Sequence, residues 1–322
     1  MKLIHWLCLT GLLLSSGISH AVTCTITGVS VVNFGTIAKP LTATPPTTSM
    51  TFSYACAKEI FDTLGNVNIC FNIGTATPLV SARVMTRTGT PASSLGYQLY
   101  QDLARTNVWG NQYQAGTTFP KLRLSLLNLT TVTGQLTVYG ALNSASMINA
   151  VPGTYQDSTV TATVTRNTVG TLDTSTACGT GVAATFTVPV NAIISKQCNI
   201  NYANNVTVGP VNANQSNIAG MSSLGVACTN NTPYTIGLLP SNNNTSGNGT
   251  MKGTRSGNTD IISYQLRSTT GSTGTIWGNT TQNTVAGTGT STTINHNVYV
   301  TVPSANYTPD SYSDTVTINV TY

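Results

Sequence analysis

Apolar and polar residues alternate along much of this chain, and one of the clearest runs lies near its middle. From Ala184 to Ile194 apolar residues occupy every second position, while the other face is mostly polar. A period of two is typical of a β-strand with one buried face. Because Pro189 has no N–H, we expect this strand at the edge of a sheet or as a late addition to a sheet. Its inward residues are Phe186, Val188, Val190, Ala192 and Ile194.

Five short landmarks recur in the same order in the two halves of the chain, which indicates a duplicated domain. Short alternating segments separated by Gly, Asn, Ser and Pro predict an all-β fold of two immunoglobulin-like β-sandwich domains. We expect these domains at residues 22–195 and 196–322, and call them the first and second copy. The landmarks are Cys24-Thr25-Ile26 with Cys198-Asn199-Ile200, Ala55-Cys56 with Ala227-Cys228, Tyr97-Gln98-Leu99 with Tyr264-Gln265-Leu266, Trp109-Gly110-Asn111 with Trp277-Gly278-Asn279, and Pro152 to Asp157 with Pro309 to Asp314.

The repeat exposes an asymmetry. The first copy continues into the strand at 184–194, whereas the second copy stops at the equivalent place. The second sandwich is therefore expected to lack its final strand. Since an unpaired apolar edge promotes aggregation unless something covers it, we expect donor-strand complementation, in which another chain supplies the missing strand. The inward row of the open edge, the predicted acceptor groove, is Val316, Ile318, Val320 and Tyr322.

Residues 1–21 have the pattern of a signal peptide, with Lys2, an apolar run and a small-x-small site at Ser19-His20-Ala21. No later apolar run is long enough to span a membrane. Six cysteines remain after cleavage, in an oxidising compartment, so disulfides are expected. The repeat suggests Cys24 with Cys56 and Cys198 with Cys228, and elimination leaves Cys70 with Cys178.

The composition argues against several functions. Only 7% of residues are charged, compared with about 25% in an average soluble protein. The formal charge of +5 is scattered, which argues against a nucleic-acid partner. The mature chain keeps one histidine, His296, and one glutamate, Glu59, so we expect no catalytic site, metal or cofactor. Asp157 and Asp314 are repeat-equivalent and are expected to make structural hydrogen bonds at turns or strand ends.

The segment from Tyr312 to Tyr322 and the Trp277-Gly278 motif resemble the spore-coat-U-like (SCPU) subunits of archaic, Csu-type chaperone–usher pili. In such pilins an alternating apolar extension before the first cysteine is the donor strand. The resemblance implies that residues 184–194 complete the first domain in cis. The mature start at Val22 leaves no extension to donate, which implies a two-domain adhesin at the fimbrial tip.

The resemblance also implies partners and a location. We expect secretion through the periplasm to the cell surface, with a periplasmic pilus chaperone and an outer-membrane usher as partners. An adjacent pilin would donate an N-terminal strand, and an abiotic or host surface would be the target.

Differences between the copies locate candidate binding residues, since apolar loops at a free end are typical of adhesive surfaces. We expect attachment to surfaces and biofilm formation. One alternative is a tip lectin in which Trp109 or Tyr113 stacks on a sugar, and another is a non-adhesive coat or envelope protein. The apolar segment 122–129 is expected either on the adhesive surface or, alternatively, in the core or over a hairpin. The surface-binding candidates are Ile60, Phe61, Leu64, Val169, Leu172, Met147 and Ile148.

Overall fold

The computed structural model describes residues 22–38, 44–58, 65–74, 80–125 and 130–322. The predicted signal peptide and the candidates Ile60, Phe61 and Leu64 lie outside these ranges. Within them, strands of alternating side chains dominate the regular structure, as the sequence pattern predicts.

The first copy forms two sheets, with strand orders β1-β3-β8-β6-β5-β9-β12-β2 and β11-β10-β4-β7. Between β8 and β9 lies a short helix, α1, at Ser144–Ile148. The strands are β1 Thr23–Thr27, β2 Val32–Ile37, β3 Thr47–Ala57, β4 Asn66–Ile73, β5 Val84–Arg87, β6 Ser94–Tyr100, β7 Lys121–Leu124, β8 Val132–Leu142, β9 Gly153–Asp157, β10 Thr161–Val169, β11 Gly181–Thr187 and β12 Val190–Ile194.

The second copy forms two smaller sheets, with strand orders β13-β14-β19-β17-β16-β20 and β18-β15-β21. The strands are β13 Cys198–Ala203, β14 Ser216–Cys228, β15 Pro233–Pro240, β16 Asn248–Gly253, β17 Ile261–Arg267, β18 Val285–Thr288, β19 Thr293–Ser304, β20 Tyr312–Ser313 and β21 Val316–Thr321.

Equivalent contacts bear out the repeat. The indole N–H of Trp109 donates to the carbonyl of Phe71 on β4, and that of Trp277 donates to the carbonyl of Ile236 on β15, both at 2.8 Å. Each copy encloses a hydrophobic core of its own between its two sheets.

All three predicted disulfides are present. Cys24–Cys56 joins β1 to β3, and Cys198–Cys228 joins β13 to β14 at the equivalent place. Cys70–Cys178 joins β4 to the loop between β10 and β11. Because four of these six cysteines are landmarks of the repeat, their pairing could be predicted from the repeat itself.

The two repeat-equivalent aspartates make structural hydrogen bonds, as predicted. The hydroxyl of Tyr97 donates to Asp157 Oδ2 at 2.8 Å, and that of Tyr264 donates to Asp314 Oδ2 at 2.5 Å. Asp157 Oδ1 also accepts from the backbone N–H of Thr159. Burial, and then the bond to the carboxylate, raise the pKa of both tyrosines, so each hydroxyl remains a donor.

The predicted single strand at 184–194 is two strands, because the chain changes sheets at Pro189. The first part, β11, is an edge strand on β10, whereas β12 lies between β9 and β2, antiparallel to β9 and parallel to β2. At the crossing, Val188 N–H donates to Val160 and Val32 N–H donates to the carbonyl of Pro189. The edge position predicted from Pro189 is therefore correct for β11 and wrong for β12.

Candidate functional site

The segment 181–194 closes the first copy at two sheet edges. Its first part pairs with β10, where Phe186 lies opposite Ala162, and its second part pairs with β9, where Ala192 lies opposite Tyr155. The predicted inward row of the segment is buried from Val188 to Ile194, and Phe186 is half-buried against the core. Under this cover the inward residues of β10, Ala162 and Val164, are fully buried.

The corresponding two edges of the second copy are open. β21 ends the three-stranded sheet and β20 ends the six-stranded sheet, and no strand of the described ranges pairs with their outer sides. Strand pairing shows that β21 is the equivalent of β10. Ile318 of β21 lies opposite Leu238 of β15, and Ala162 of β10 lies opposite Ile73 of β4. The inward residues of β21 are only half-buried, and Tyr322 is exposed. This open edge contains the predicted acceptor row Val316, Ile318, Val320 and Tyr322.

A second wall of this opening was missed by the sequence reasoning. Val32 and Phe34 of β2 are buried beside β12 in the first copy, whereas Val206 and Val208 of the second copy are half-buried and belong to no strand. The following glycines, Gly35 and Gly209, have φ of +70° and +73°. Val32 and Val206 each lie eight positions after the first cysteine of their copy, and this spacing could have revealed the match. We call the opening between residues 206–209 and strands β20 and β21 the slot.

One titratable side chain replaces an apolar one beside the slot. Leu136 lies opposite Phe52 in the first copy, where Phe52 contacts Phe186 with ring centroids 5.1 Å apart. At the same pairing position in the second copy, His296 lies opposite Leu224. Its Nε2 lies 2.9 Å from the hydroxyl of Tyr234, and burial lowers its pKa.

At the end of the first copy farthest from the junction, residues 170–180 form a strap across the outer face of β4. Cys178 bonds to Cys70, and the side-chain amides of Asn66 and Asn68 donate to carbonyls of the strap. Lys121 Nζ donates to the carbonyl of Thr176 at 3.2 Å. These bonds explain why polar residues alternate with apolar ones on a strand that is buried on both faces.

Two candidates lie at this strap end. Leu172 is 94% exposed at the turn of the strap, whereas Val169, the last residue of β10, is buried, so its assignment to a binding surface was wrong. A Cβ atom on Gly65 would lie 2.7 Å from the carbonyl oxygen of Val169, so the chain leaving the 59–64 segment reaches the same end. Gly65 and the loop before β11 therefore lie at the same end of the first copy, while residues 59–64 lie outside the described ranges.

Two other candidates lie at the opposite end, beside the second copy. Met147 in α1 is 1% exposed and packs in the core, so its assignment to a binding surface was wrong. Ile148 is 50% exposed. The carbonyl of the next residue, Asn149, accepts a hydrogen bond from Asn230 of the second copy at 2.9 Å.

Trp109 is fully buried, so it cannot stack on a sugar, whereas Tyr113 is exposed. In the apolar segment after Pro120, Leu124 is core and Leu122 packs partly against it. Within the described ranges no cluster of three or more His, Cys, Asp or Glu residues could hold a metal ion. The same ranges include no helix with the length and apolar character of a membrane span.

Comparisons with known proteins agree with this architecture. The Spore Coat Protein U domain model matches residues 10–163 and 184–319, so its second match begins inside β11. A search of curated proteins gave no match. One similar solved structure is the CsuC–CsuE chaperone–tip adhesion subunit pre-assembly complex of archaic Csu pili from Acinetobacter baumannii, with 15% identity and a TM-score of 0.51. That match covers 93% of this chain and 100% of the other.

A second similar structure is the CupB6 tip adhesin from Pseudomonas aeruginosa, with 11% identity, 94% coverage of both chains and a TM-score of 0.43. Both are structures of adhesive subunits rather than enzymes. The family model covers both copies of the repeat, and the chain therefore belongs to the Spore Coat Protein U domain family.

Proposed function

We propose that this protein is the tip adhesin of a chaperone–usher pilus, with an adhesive domain at 22–195 and a pilin-type domain at 196–322. It is secreted through the periplasm, displayed at the fimbrial tip, and is not an enzyme. Family membership supports this proposal. The observation that carries it is the slot of the second copy. In the first copy the equivalent opening is filled by the chain's own residues 181–194.

The slot of the second copy accepts an alternating apolar strand from another subunit. The register of the donor strand follows that of residues 181–194 in the first copy. The donor residue equivalent to Phe186 pairs with Ile318, and the donor residue equivalent to Ala192 pairs with Tyr312. A periplasmic chaperone fills the slot before assembly at the outer-membrane usher. The N-terminal strand of the adjacent pilin replaces the chaperone in the fibre.

The first copy needs no donor, so its strap end points away from the fibre. Adhesion arises there from Leu172 and, as the comparison of the two copies suggests, from Ile60, Phe61 and Leu64. Burying one large apolar side chain contributes about 1.5–3 kcal/mol. Many pili acting together multiply this weak contact, which suits attachment to abiotic or host surfaces and biofilm formation.

Supplying a donor strand in cis tests the slot. The full chain is extended at Tyr322 with a flexible linker as long as residues 167–180, followed by a second copy of residues 181–194. The linker length is taken from the first copy, in which residues 167–180 connect the paired residues Arg166 and Gly181. We expect amide exchange at residues 206–209 and 316–321 to slow by at least about tenfold, because both segments gain a pairing partner. Self-association should also decrease.

The control extension carries serine in place of Phe186, Val188 and Val190 of the added strand. Its length and backbone are unchanged, but it has lost three of the five inward apolar side chains. The proposal requires that only the apolar extension protects the slot. Equal protection by both extensions, or by neither, would contradict it.

A matched pair of exposed residues tests the adhesive end. Leu172→Ser should lower attachment of piliated cells to a hydrophobic surface, whereas Ile148→Ser, at the opposite end of the same copy, should not. The triple change of Ile60, Phe61 and Leu64 to Ser should lower it further. Pilus number and thermal stability serve as controls. Normal attachment of both the Leu172 and the triple variant would exclude this end as the adhesive surface.

A further inference from the structure

A groove lined mainly by threonine and other small or polar residues lies on the outer face of the eight-stranded sheet in the first copy, apart from the slot and the strap. It has a volume of about 350 Å³. Small residues of β3, Ser53 and Ala55, form its floor between taller side chains of the two neighbouring strands. Thr27 of β1 and Gln135 of β8 flank Ser53, and Thr25 and Thr133 flank Ala55 in the same way.

The side chains of this groove have few bonds within the protein. Thr25, Thr27 and Thr133 are exposed, and their hydroxyls make no hydrogen bond to any part of the chain that the structure describes. The one internal contact joins Gln135 Nε2 to Ser53 Oγ at 3.5 Å, which is long for a hydrogen bond. Several donors and acceptors therefore face solvent together in one concave place.

The second copy closes the equivalent groove with its own residues. Tyr202 takes the pairing position of Thr27, and Gly225 takes that of Ser53. The ring of Tyr202 lies on Gly225, where a Cβ atom would be 2.2 Å from a ring carbon. The Tyr202 hydroxyl donates to Asn295 Oδ1 at 2.9 Å, and Asn201 Nδ2 donates to Thr293 Oγ1 at 2.6 Å. The open groove is thus a property of the first copy alone.

We propose that this groove binds a neutral saccharide. Hydroxyl and amide side chains both donate and accept hydrogen bonds, as sugar hydroxyls do, and no charged side chain lines the groove. The methyl groups of Ala55 and the threonines offer apolar contact to the ring face. The volume is at the lower end of the range of about 300–1,000 Å³ for small-ligand sites, which suits one or two sugar rings. This site does not depend on the pilus role.

Saturation-transfer NMR on the full secreted chain tests the site with glucose, galactose, mannose and N-acetylglucosamine, and with sialic acid as the charged comparison. We expect transfer to at least one neutral sugar. The double variant Thr27→Tyr, Ser53→Gly rebuilds the closed arrangement of the second copy, and should abolish that transfer. Thr133→Val removes one hydroxyl at an exposed position and should weaken binding severalfold. This variant still tests the groove if the double variant folds poorly. Leu172→Ser should bind as the unaltered chain does.

The proposal would be overturned by no transfer to any neutral sugar, by unchanged transfer in a folded double variant, or by a preference for sialic acid. Each of them leaves the strand-donor experiment untouched. Loss of sugar binding in the Leu172 variant would also overturn it, because the saccharide would then bind at the strap end.

Discussion

Replacing Val190 with Asp tests the closure of the first copy at a strand enclosed on both sides. Val190 is 1% exposed and lies in β12 between β9 and β2. Losing its burial forfeits about 1.5–3 kcal/mol. A carboxyl group without a partner in the core is unfavourable by roughly 2 kcal/mol or more, even if it takes up a proton. We expect a total loss of about 5 kcal/mol, which is comparable with the whole stability of a typical domain, about 5–15 kcal/mol.

The same strand offers a matched control. Ile193 lies three residues further along β12 and is 44% exposed, so Ile193→Asp should change stability far less than Val190→Asp. Urea denaturation would be followed by the fluorescence of Trp109, which is buried in the first core, in a chain with Trp277→Phe. With a urea dependence of about 1–3 kcal/mol per molar, the Val190 variant should unfold roughly 2–5 M earlier. Equal shifts for both variants would refute the placement of this strand.

Replacing both Cys70 and Cys178 with Ser should lower the unfolding free energy by about 2–4 kcal/mol and open the strap to protease, as mass mapping of the cleavage products would show. Asn68→Ala should remove one of the two side-chain donors to each of the strap carbonyls of Ser175 and Ala177, and should speed cleavage there by a smaller factor. Folding lowers the pKa of His296, so the unfolded chain binds the proton more tightly, and stability should fall as the pH drops below about 6.5. His296→Leu, which copies Leu136, should reduce this dependence in urea midpoints measured at pH 5 and pH 7.5.

Much of the fold follows from the repeat and the alternation. The landmarks lie at equivalent backbone positions, so they predicted two of the disulfides directly and the third by elimination. The prediction that the row of residues ending at Ile194 faces inward is also confirmed, because alternation indicates which side chains face a core. Alternation does not report which sheet supplies the neighbouring strand. The change of sheet at Pro189 was therefore not visible in the pattern.

Other features were hidden for different physical reasons. α1 is only five residues long, which is too short for a helical period to show that Met147 points inward. The burial of the asparagines of β4 could not be predicted from the local pattern, because the strap that buries Asn66 and Asn68 comes about a hundred residues later in the chain. Val206 and Val208 form no strand in the second copy, so only the comparison with β2 reveals what they could pair with.

The position of β12 has a mechanical consequence. The second copy follows directly after this strand, so tension between the two copies enters the first one at Ser195 and runs along β12. Its two neighbours, β9 and β2, pair with it side by side over most of its length. A pull along the strand loads both hydrogen-bond ladders in shear, so several bonds must break together instead of opening one after another. The first copy is thus built to resist a force that pulls it away from the second copy.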